Sequence, residues 1–151
     1  MREVALGLIK KGDKYLVEKF YDEVGKVYFY KLIGGGIEER ETPEEALRRE
    51  FLEELKSETD ILSALKPVED DFTYKGTKRR IKAHVFEAKF RDEENYDFVQ
   101  KFIYSPEGKF LSVAMWKTPD EILAEKLDFY PRPLLKKIRG TRKRTGWKKS
   151  G

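Results

Sequence analysis

The amino-terminal part of the chain alternates short apolar runs with turn residues, as β-strands do. Apolar runs at residues 3–10 and 14–20 flank a glycine-containing turn at residues 11–13, and together they predict a β-hairpin. After a turn at residues 22–26, the aromatic and β-branched run at residues 27–33 predicts a third strand that ends at a run of glycines. Three strands are therefore expected to open the chain.

Strand-like patterns return after residue 60 and alternate with turns and helical signals. The predicted strands cover residues 61–74, 81–90, 98–104 and 109–116. Thr118 as N-cap predicts a short helix over residues 119–126, and Pro131 predicts the start of a further helix. Strands interrupted by helices predict an α+β fold, in which helices pack on a mixed β-sheet.

The segment between residues 42 and 55 carries the clearest helical signal. Thr42 is placed to cap the helix, Pro43 occupies its first position and Glu45 follows three residues after the cap. At about 100° per residue, the apolar side chains of this segment gather on a core face. They are Leu47, Phe51, Leu55 and, further round, Leu52.

Three glutamates of this helix share a stripe at the margin of the core face. Glu50, Glu53 and Glu54 would repel one another, and this repulsion would raise their pKa values. A divalent cation removes the conflict, and oxygen ligands without His or Cys suit Mg²⁺ or Mn²⁺. Because glycine lets the backbone approach a ligand, a carbonyl of Gly34 or Gly35 could complete the metal shell. The alternative is a solvated, Glu-rich helix surface.

Length and composition bound the remaining possibilities. The 151 residues suit one domain, and the absence of cysteine excludes disulfides and thiolate zinc sites. No window approaches the ~20 apolar residues of a membrane span, so we expect a soluble, cytoplasmic protein. The charge is uneven, because residues 132–151 hold nine Lys and Arg and no acid, whereas residues 1–131 hold 23 basic and 28 acidic residues.

We divide the chain into a domain over residues 1–138 and a basic tail over residues 139–151. Through its charge the tail could contact RNA, another nucleic acid or an anionic surface. A terminus of this composition is also typical of solvated and flexible chain ends, which is the alternative interpretation.

The spacing around the glutamate helix resembles the Nudix box. Gly35 is followed after five residues by Glu41, and after seven more by Arg-Glu-Phe-Leu-Glu-Glu at residues 49–54. The family pattern is Gly, five residues, Glu, seven residues, Arg-Glu, an apolar residue, any residue, Glu-Glu, any residue, Gly and an apolar residue. Here Lys56 and Ser57 replace the final pair, which would cost about 1 kcal/mol in a left-handed helix end or force a different exit.

The resemblance covers most of residues 1–138 and implies a Nudix-type α/β/α sandwich. Such a fold has a mixed sheet, one strong catalytic helix and one or two carboxy-terminal helices. Nudix enzymes are hydrolases of phosphorus-containing acid anhydrides that cleave a pyrophosphate bond in a nucleoside diphosphate linked to a group X. The resemblance therefore implies a Mg²⁺-dependent enzyme, with Mn²⁺ as a possible replacement, that acts on a small nucleotide.

Roles for individual residues follow from the resemblance by position. Glu50, Glu53 and Glu54 look like the metal-binding glutamates, with the Gly34 carbonyl as an additional ligand. The side chains of Arg49 and Glu41 look like an ion pair that holds the preceding loop against the helix and orients the carboxylates. Either Glu53 or Glu54 is expected near the attacking water, from which a free carboxylate can take a proton.

The family often adds a carboxylate from a remote loop. Glu107 is the candidate we favour here, and Asp92–Glu94 and Asp70 or Asp71 are the others. Each could equally be an ordinary loop acid. The single histidine, His84, lies in a predicted strand, where we expect a structural role.

Several functions stay open at this point. The substrate could be a nucleoside triphosphate, a nucleotide sugar or a dinucleotide, because loops that vary freely on one fold set substrate choice. A second option is removal of a pyrophosphate or cap from the 5′ end of RNA, for which the basic tail gives support. A third is a non-catalytic module that senses a nucleotide and binds nucleic acid. We expect no membrane partner, and a monomer or a homodimer.

Overall fold

The computed structural model describes residues 1–140, and most of the predicted basic tail lies outside these residues. The strands are β1 (Arg2–Lys11), β2 (Lys14–Asp22), β3 (Val27–Gly36), β4 (Thr59–Ala64), β5 (Val68–Tyr74), β6 (Thr77–Phe90), β7 (Gln100–Tyr104), β8 (Phe110–Lys117) and β9 (Asp128–Tyr130). The helices are α1 (Pro43–Leu55), α2 (Pro119–Glu125) and α3 (residues 132–140), with a 3₁₀ turn at Glu93–Tyr96.

The sheet is mixed, as predicted, and its strands lie in the order β4-β6-β1-β3-β2-β8-β7. β5 pairs with the first half of β6, and β9 pairs with β3. β1 runs parallel to β6 and antiparallel to β3. The predicted hairpin of β1 and β2 exists only beside its turn, where Lys10 pairs with Tyr15 and Lys11 with Lys14. Beyond these pairs the two strands separate, and β3 lies between them.

The glycine run lies inside β3, where residues 34–36 pair with residues 4–6 of β1. The prediction that the strand ends before the glycines is therefore wrong. At Gly34 φ is 146°, and a side chain there would clash with the carbonyl oxygen of Ala5. Glycine is required because the backbone of β1 approaches this closely, so the run serves strand pairing rather than a turn.

Helices cover both faces of the sheet, which confirms the predicted α/β/α sandwich. On one face, α1 buries Ala46, Leu47, Phe51 and Leu55 against strand residues such as Ala5, Leu16, Ile33, Ile103 and Trp116. On the other face, α2 and α3 bury Ile122, Leu134, Leu135 and Ile138 against strand residues such as Leu6, Val17, Tyr30 and Leu32. None of the helices within residues 1–140 has the length and apolar composition that a membrane span requires.

Helix α1 begins as the sequence predicts. The Thr42 hydroxyl accepts a hydrogen bond from the Glu45 amide at 3.1 Å, and the Glu45 carboxylate accepts one from the Thr42 amide at 2.9 Å. This capping box satisfies two amides of the first turn. The expected core face is confirmed except at Leu52, which is 48% exposed because it lies too far round the helix to reach the sheet.

Helix α1 ends on Lys56, which adopts the left-handed conformation with φ of 56°. Of the two outcomes expected for a lysine at this position, the structure has the left-handed end rather than a different exit. The Lys56 ammonium donates to the carbonyl of Glu53 at 2.8 Å, so it satisfies one carbonyl of the last turn. Ser57 is buried and donates its hydroxyl hydrogen to the carbonyl of Leu55 at 3.0 Å.

Helix α2 is confirmed with the same kind of capping box at Thr118. Strand β9 was not predicted from the sequence. It is three residues long, too short for an alternating pattern, and it pairs in parallel with the Phe29–Lys31 part of β3.

We predict that Lys56→Gly stabilises the protein, because glycine adopts the left-handed conformation without steric cost. The free energy of unfolding should rise by about 0.5–1 kcal/mol, less the small contribution of the lost Lys56 hydrogen bond. Urea denaturation of the wild type and the variant measures this difference.

Two further glycine variants serve as controls. Lys126→Gly, at the left-handed end of α2 with φ of 58°, should also stabilise. Arg48→Gly, at an exposed position inside α1, should destabilise by about 1 kcal/mol. Equal destabilisation by all three variants would contradict the account of the helix ends.

Candidate functional site

A bidentate ion pair joins the loop before α1 to the helix. The Arg49 guanidinium donates to Glu41 from Nε at 2.7 Å and from Nη2 at 3.0 Å. Nη2 also donates to the carbonyl of Gly36 at 2.9 Å, which ties the end of β3 into the same contact. The hydrogen bond from Arg49 and one from the Glu38 amide lower the pKa of Glu41 to about 2. The sequence-predicted pair is therefore in contact.

The same guanidinium also reaches two carboxylates of the acidic stripe. Arg49 Nη1 lies 3.1 Å from Glu50 Oε1 and 3.4 Å from Glu53 Oε2. Glu50 lies directly beside β3, because a side chain on Gly35 would come within 2.5 Å of its Oε1 atom. Glu53 is more open, with 52% of its side chain exposed. The close approach at Gly35 explains why glycine and Glu50 occur together.

Glu54, the third member of the stripe, is half-buried and lies beside a carboxylate that sequence reasoning missed. That carboxylate belongs to Glu18 of β2, which is fully buried. Burial first, and then the neighbouring Glu18, raise the pKa of Glu54 far above its usual value. Within residues 1–140, the buried atoms Glu18 Oε1 and Glu54 Oε1 have no hydrogen-bond partner.

One lysine lies against this carboxylate pair. The Lys31 ammonium donates to Glu18 Oε2 at 3.0 Å, to the Leu32 carbonyl at 2.8 Å and to the Gly34 carbonyl at 3.2 Å. Burial by itself would lower the pKa of Lys31, but Glu18, Glu54 and Glu50 outweigh it and raise that pKa. The predicted carbonyl ligand, Gly34, is thus engaged by an ammonium group.

The carboxylate and carbonyl oxygens of this site are ligands of the type that a divalent cation prefers, although they are not assembled around one point. Within residues 1–140, no three His, Cys, Asp or Glu side chains are grouped closely enough to hold a metal ion. Glu18 Oε1 and Glu54 Oε1 are nevertheless buried polar atoms that lack a partner among the described residues. A hard cation would satisfy both, and Glu50 lies on the same side of α1.

The remote-loop candidates are not brought to this cluster. Glu107 is exposed in the turn between β7 and β8, and within the described chain it has no hydrogen bond or ion pair with the α1 carboxylates. Asp70 accepts from the Arg132 amide at 2.9 Å, and Asp71 pairs with Arg80 at 3.2 Å. Asp92–Glu94 are exposed at the 3₁₀ turn. A role for Glu107 in metal binding stays a prediction.

The single histidine lies in a strand, β6, as the sequence predicts. His84 Nε2 lies 2.7 Å from Glu3 Oε1, across the parallel pair of β1 and β6.

A cavity of about 430 Å³ opens beside the carboxylate cluster, a volume within the range of small-molecule sites. Its walls include the aromatic rings of Phe72, Tyr74 and Tyr130, and Phe72 meets Tyr130 edge to face at 4.7 Å between ring centres. Four cationic side chains line it, and none of the described residues in its lining is acidic or carries a carboxamide. The cations are Arg2, Lys31, Lys75 and Arg79.

Arg2 connects this cavity to a second, more open depression beside the helix. The second depression, about 480 Å³ in volume, is lined by Arg2, Gly36, Arg49 and Glu50, together with Glu3, Ile37 and Glu38. The aromatic cavity, the cationic rim and the acidic helix therefore form one continuous surface.

Glu18 and Lys31 are the site residues that sequence reasoning missed. They face each other in the register of β2 and β3. The sequence held a sign of this contact. Glu18 lies two residues after Leu16 and therefore on the same face of β2, and Leu16 is buried against α1. A charged residue at a buried position of an otherwise apolar strand needs a partner, and the helix opposite it carries charge as well.

Comparison with known proteins supports the same architecture. The family model described as the NUDIX domain matches residues 2–138. That match confirms the resemblance found in the sequence and, with it, the predicted class of enzyme, a pyrophosphohydrolase. No curated protein sequence matches the chain closely enough to count as a relative.

Solved structures show the fold at low sequence identity. The Escherichia coli ORF135 protein is 22% identical, with 94% of this chain and 91% of that chain covered and a TM-score of 0.66. A NUDIX hydrolase from Nitrosomonas europaea is 19% identical, with coverage of 96% and 89% and a TM-score of 0.64. A MutT protein from Methanosarcina mazei is 17% identical, with coverage of 94% and 95% and a TM-score of 0.65.

The Glu41–Arg49 pair predicts a dependence of stability on acid. Because folding lowers the pKa of Glu41 from 4.5 to about 2, its stabilisation is complete above pH 4.5 and is lost as the pH falls towards 2. Glu41→Gln should therefore be less stable than the wild type at pH 6, and the difference should shrink at lower pH. Chemical denaturation in the presence of a chelator, repeated from pH 6 to pH 2.5, measures it.

Glu39→Gln is the matched control, because this exposed side chain of the same loop has no ion pair within residues 1–140. Its difference from the wild type should stay small at every pH. A stability difference for Glu41→Gln that does not change with pH would contradict the role of the ion pair.

Proposed function

The chain belongs to the NUDIX domain family, and from that premise we propose that it cleaves a pyrophosphate bond in a nucleoside diphosphate linked to a group X, using Mg²⁺ or Mn²⁺. One observation carries the proposal: the acidic stripe of α1 adjoins a cavity with aromatic walls and a cationic rim. A nucleotide has parts that match each surface, because its ring can stack on aromatic side chains and its phosphates need cations.

Glu50, Glu53 and Glu54 would hold the divalent ions, with the Gly34 carbonyl as a further oxygen ligand. The buried, unpartnered oxygen of Glu54 supports this assignment, and so does the closeness of Glu50 to Gly35. When bound, such ions supply Lewis-acid stabilisation of the charge that develops on the phosphate oxygens.

The side chains of the protein contribute position and proton transfer. Water attacks one phosphorus atom, the bridging P–O bond breaks, and the departing phosphate group leaves with the bonding electrons. Glu53 is the carboxylate of the stripe that we assign to accept the proton of the water, because its side chain is exposed to solvent whereas Glu54 is less exposed. Arg49, held by Glu41, fixes the orientation of Glu50 and Glu53.

The lining of the cavity bears on substrate choice. Aromatic faces stack on any base, whereas discrimination between bases requires side chains that hydrogen-bond to a base edge. The described lining offers hydroxyls from Tyr74, Thr77 and Tyr130 but no carboxylate or carboxamide. We therefore propose a nucleotide substrate recognised by stacking and by phosphate charge, with little discrimination between bases. Nucleoside triphosphates, nucleotide sugars and dinucleotides all fit that description.

Other predictions from the sequence remain as proposals. They are the domain over residues 1–138, the cytoplasmic location, the monomeric or homodimeric state and RNA contact through the tail at residues 139–151. Most of that tail lies outside the described residues.

We predict that Glu53→Gln lowers kcat at least 100-fold on any nucleotide that the wild type hydrolyses, because the amide is a poor metal ligand and cannot accept the proton. Release of phosphate or pyrophosphate from a panel of nucleotides with Mg²⁺ measures the rates. A nucleotide sugar, a dinucleotide and an RNA with a 5′-triphosphate complete the panel.

Glu44→Gln, at an exposed position in the first turn of the same helix, is the matched control and should keep full activity. If no member of the panel is hydrolysed, or if Glu53→Gln retains wild-type kcat, the proposed function is wrong. Hydrolysis of the RNA alone would replace the small nucleotide with an RNA end as the substrate.

We predict that kcat/KM differs by less than about tenfold among ATP, GTP, CTP and UTP, because none of the described lining residues carries a carboxylate or carboxamide to read a base edge. Phe72→Ala should raise KM for all four with little change in kcat, since stacking contributes equally to the ground state and the transition state. Phe102→Ala, at an exposed ring outside the cavity lining, should change neither constant. A preference above 1,000-fold for one base would overturn this part of the proposal.

A further inference from the structure

The position of Lys31 suggests a role that the family pattern does not contain. Its ammonium donates three hydrogen bonds, to Glu18, to the Leu32 carbonyl and to the Gly34 carbonyl. Three donors are all that an ammonium group has, so its hydrogen-bonding capacity is fully used. Two of the acceptors, Glu18 and Gly34, lie where oxygen ligands for a divalent ion are expected.

The negative charges around Lys31 explain why its ammonium group stays beside the carboxylates. Glu18 is fully buried, Glu54 lies beside it, and the carboxylate of Glu50 also acts on Lys31. Among the described residues, Lys31 is the cation that contacts the Glu18 carboxylate. The Arg49 guanidinium lies on the other side of Glu50, where Glu41 and the Gly36 carbonyl hold it.

An ammonium group and a divalent cation compete at this cluster of oxygens. Both carry positive charge, and their repulsion is strong at the short distances of a buried site. Both would draw on the Gly34 carbonyl and on the Glu18 carboxylate. Repulsion between the two positive charges therefore favours displacement of the ammonium when a divalent ion binds.

We propose that Lys31 is a built-in counter-ion that occupies the metal position in the ion-free protein and is displaced when the divalent cation binds. The inference rests on the proposed metal site of α1. It assigns to Glu18 the part of a buried anchor that holds the ammonium in place. In the ion-free protein, Lys31 thereby stabilises the buried carboxylates by its charge. It also weakens metal binding, because it competes for the same oxygens.

The displaced side chain has a place to go. Lys31 lines the aromatic cavity as well as the carboxylate cluster, and its side chain is 20% exposed. Outside the cluster its ammonium would join the cationic rim formed by Arg2, Lys75 and Arg79. It would then face the phosphates of a bound nucleotide, so metal loading would add one positive charge to the substrate side.

Manganese binding to the ion-free protein tests the proposal without any substrate. Electron paramagnetic resonance of free Mn²⁺ gives the Kd for the wild type and for Lys31→Met. The variant should bind about tenfold more tightly, because the competing ammonium is gone. In the presence of a chelator, Lys31→Met should have a lower melting temperature than the wild type. Addition of Mn²⁺ should raise the melting temperature of the variant by more than that of the wild type.

Two variants control for other effects. Lys19→Met removes a comparably buried lysine of the neighbouring strand, which pairs with Glu125 at 3.1 Å and has a side chain 28% exposed. Its Mn²⁺ affinity should equal that of the wild type. Lys31→Arg keeps a cation at the site and should bind Mn²⁺ within about threefold of the wild type.

A second measurement uses the wild type, so it remains informative even if Lys31→Met does not fold. In protein labelled with ¹³C at the lysine ε-carbons, titration with Mg²⁺ should shift the Lys31 resonance and leave that of Lys19 unchanged. Lys31→Arg identifies the resonance by its loss.

The outcomes separate the two proposals. If the wild type binds Mn²⁺ but Lys31→Met binds it equally or more weakly, or if the Lys31 resonance is unaffected by Mg²⁺, the displacement is wrong and the hydrolase proposal stands. If neither protein binds Mn²⁺, the metal site itself is wrong and both proposals fail.

Discussion

Burial of carboxylates beside a single ammonium is the constraint on which the site depends. Glu18 is fully buried in β2, Glu54 lies half-buried beside it in α1, and Lys31 supplies the charge that contacts Glu18. Burial beside Glu18 disfavours the charged form of the Glu54 carboxylate, so two ionised carboxylates beside one ammonium are unfavourable here. The arrangement becomes favourable when additional positive charge enters, and this is the physical reason to expect a cation at this junction.

The glycine strand separates two surfaces of opposite charge. On one side of residues 34–36 lies the acidic stripe, with Glu50 against Gly35. On the other lies the cavity with its cationic rim, where Arg2 packs over Gly36. Because residues 34–36 have no side chains, only the backbone of β3 separates these two surfaces. A substrate that carries both phosphates and an aromatic ring can therefore contact both sides at once.

Sequence reasoning reached the elements whose signals are local. The capping box of α1, the alternating strands and the Nudix spacing all lie within short stretches, and the structure confirms each of them. It failed where tertiary pairing decides. In the sequence the glycines of β3 resemble a turn, but they pair with β1. Leu52 is apolar and was expected in the core, but it is exposed. The contact of Glu18 with Lys31 depends on the register of β2 and β3, which no single segment reveals.

The two cations of the site differ in how firmly they are held, and that difference suits their separate tasks. Arg49 spreads its planar guanidinium over Glu41, Glu50 and the Gly36 carbonyl, and a bidentate pair of this kind fixes geometry. Lysine carries a compact charge on a flexible stem, so Lys31 can leave its oxygens without disturbing the backbone. An arginine that orients the ligands must stay in place when the metal enters, whereas a lysine that substitutes for the metal must be able to move. The residue types at positions 49 and 31 are those that these requirements select.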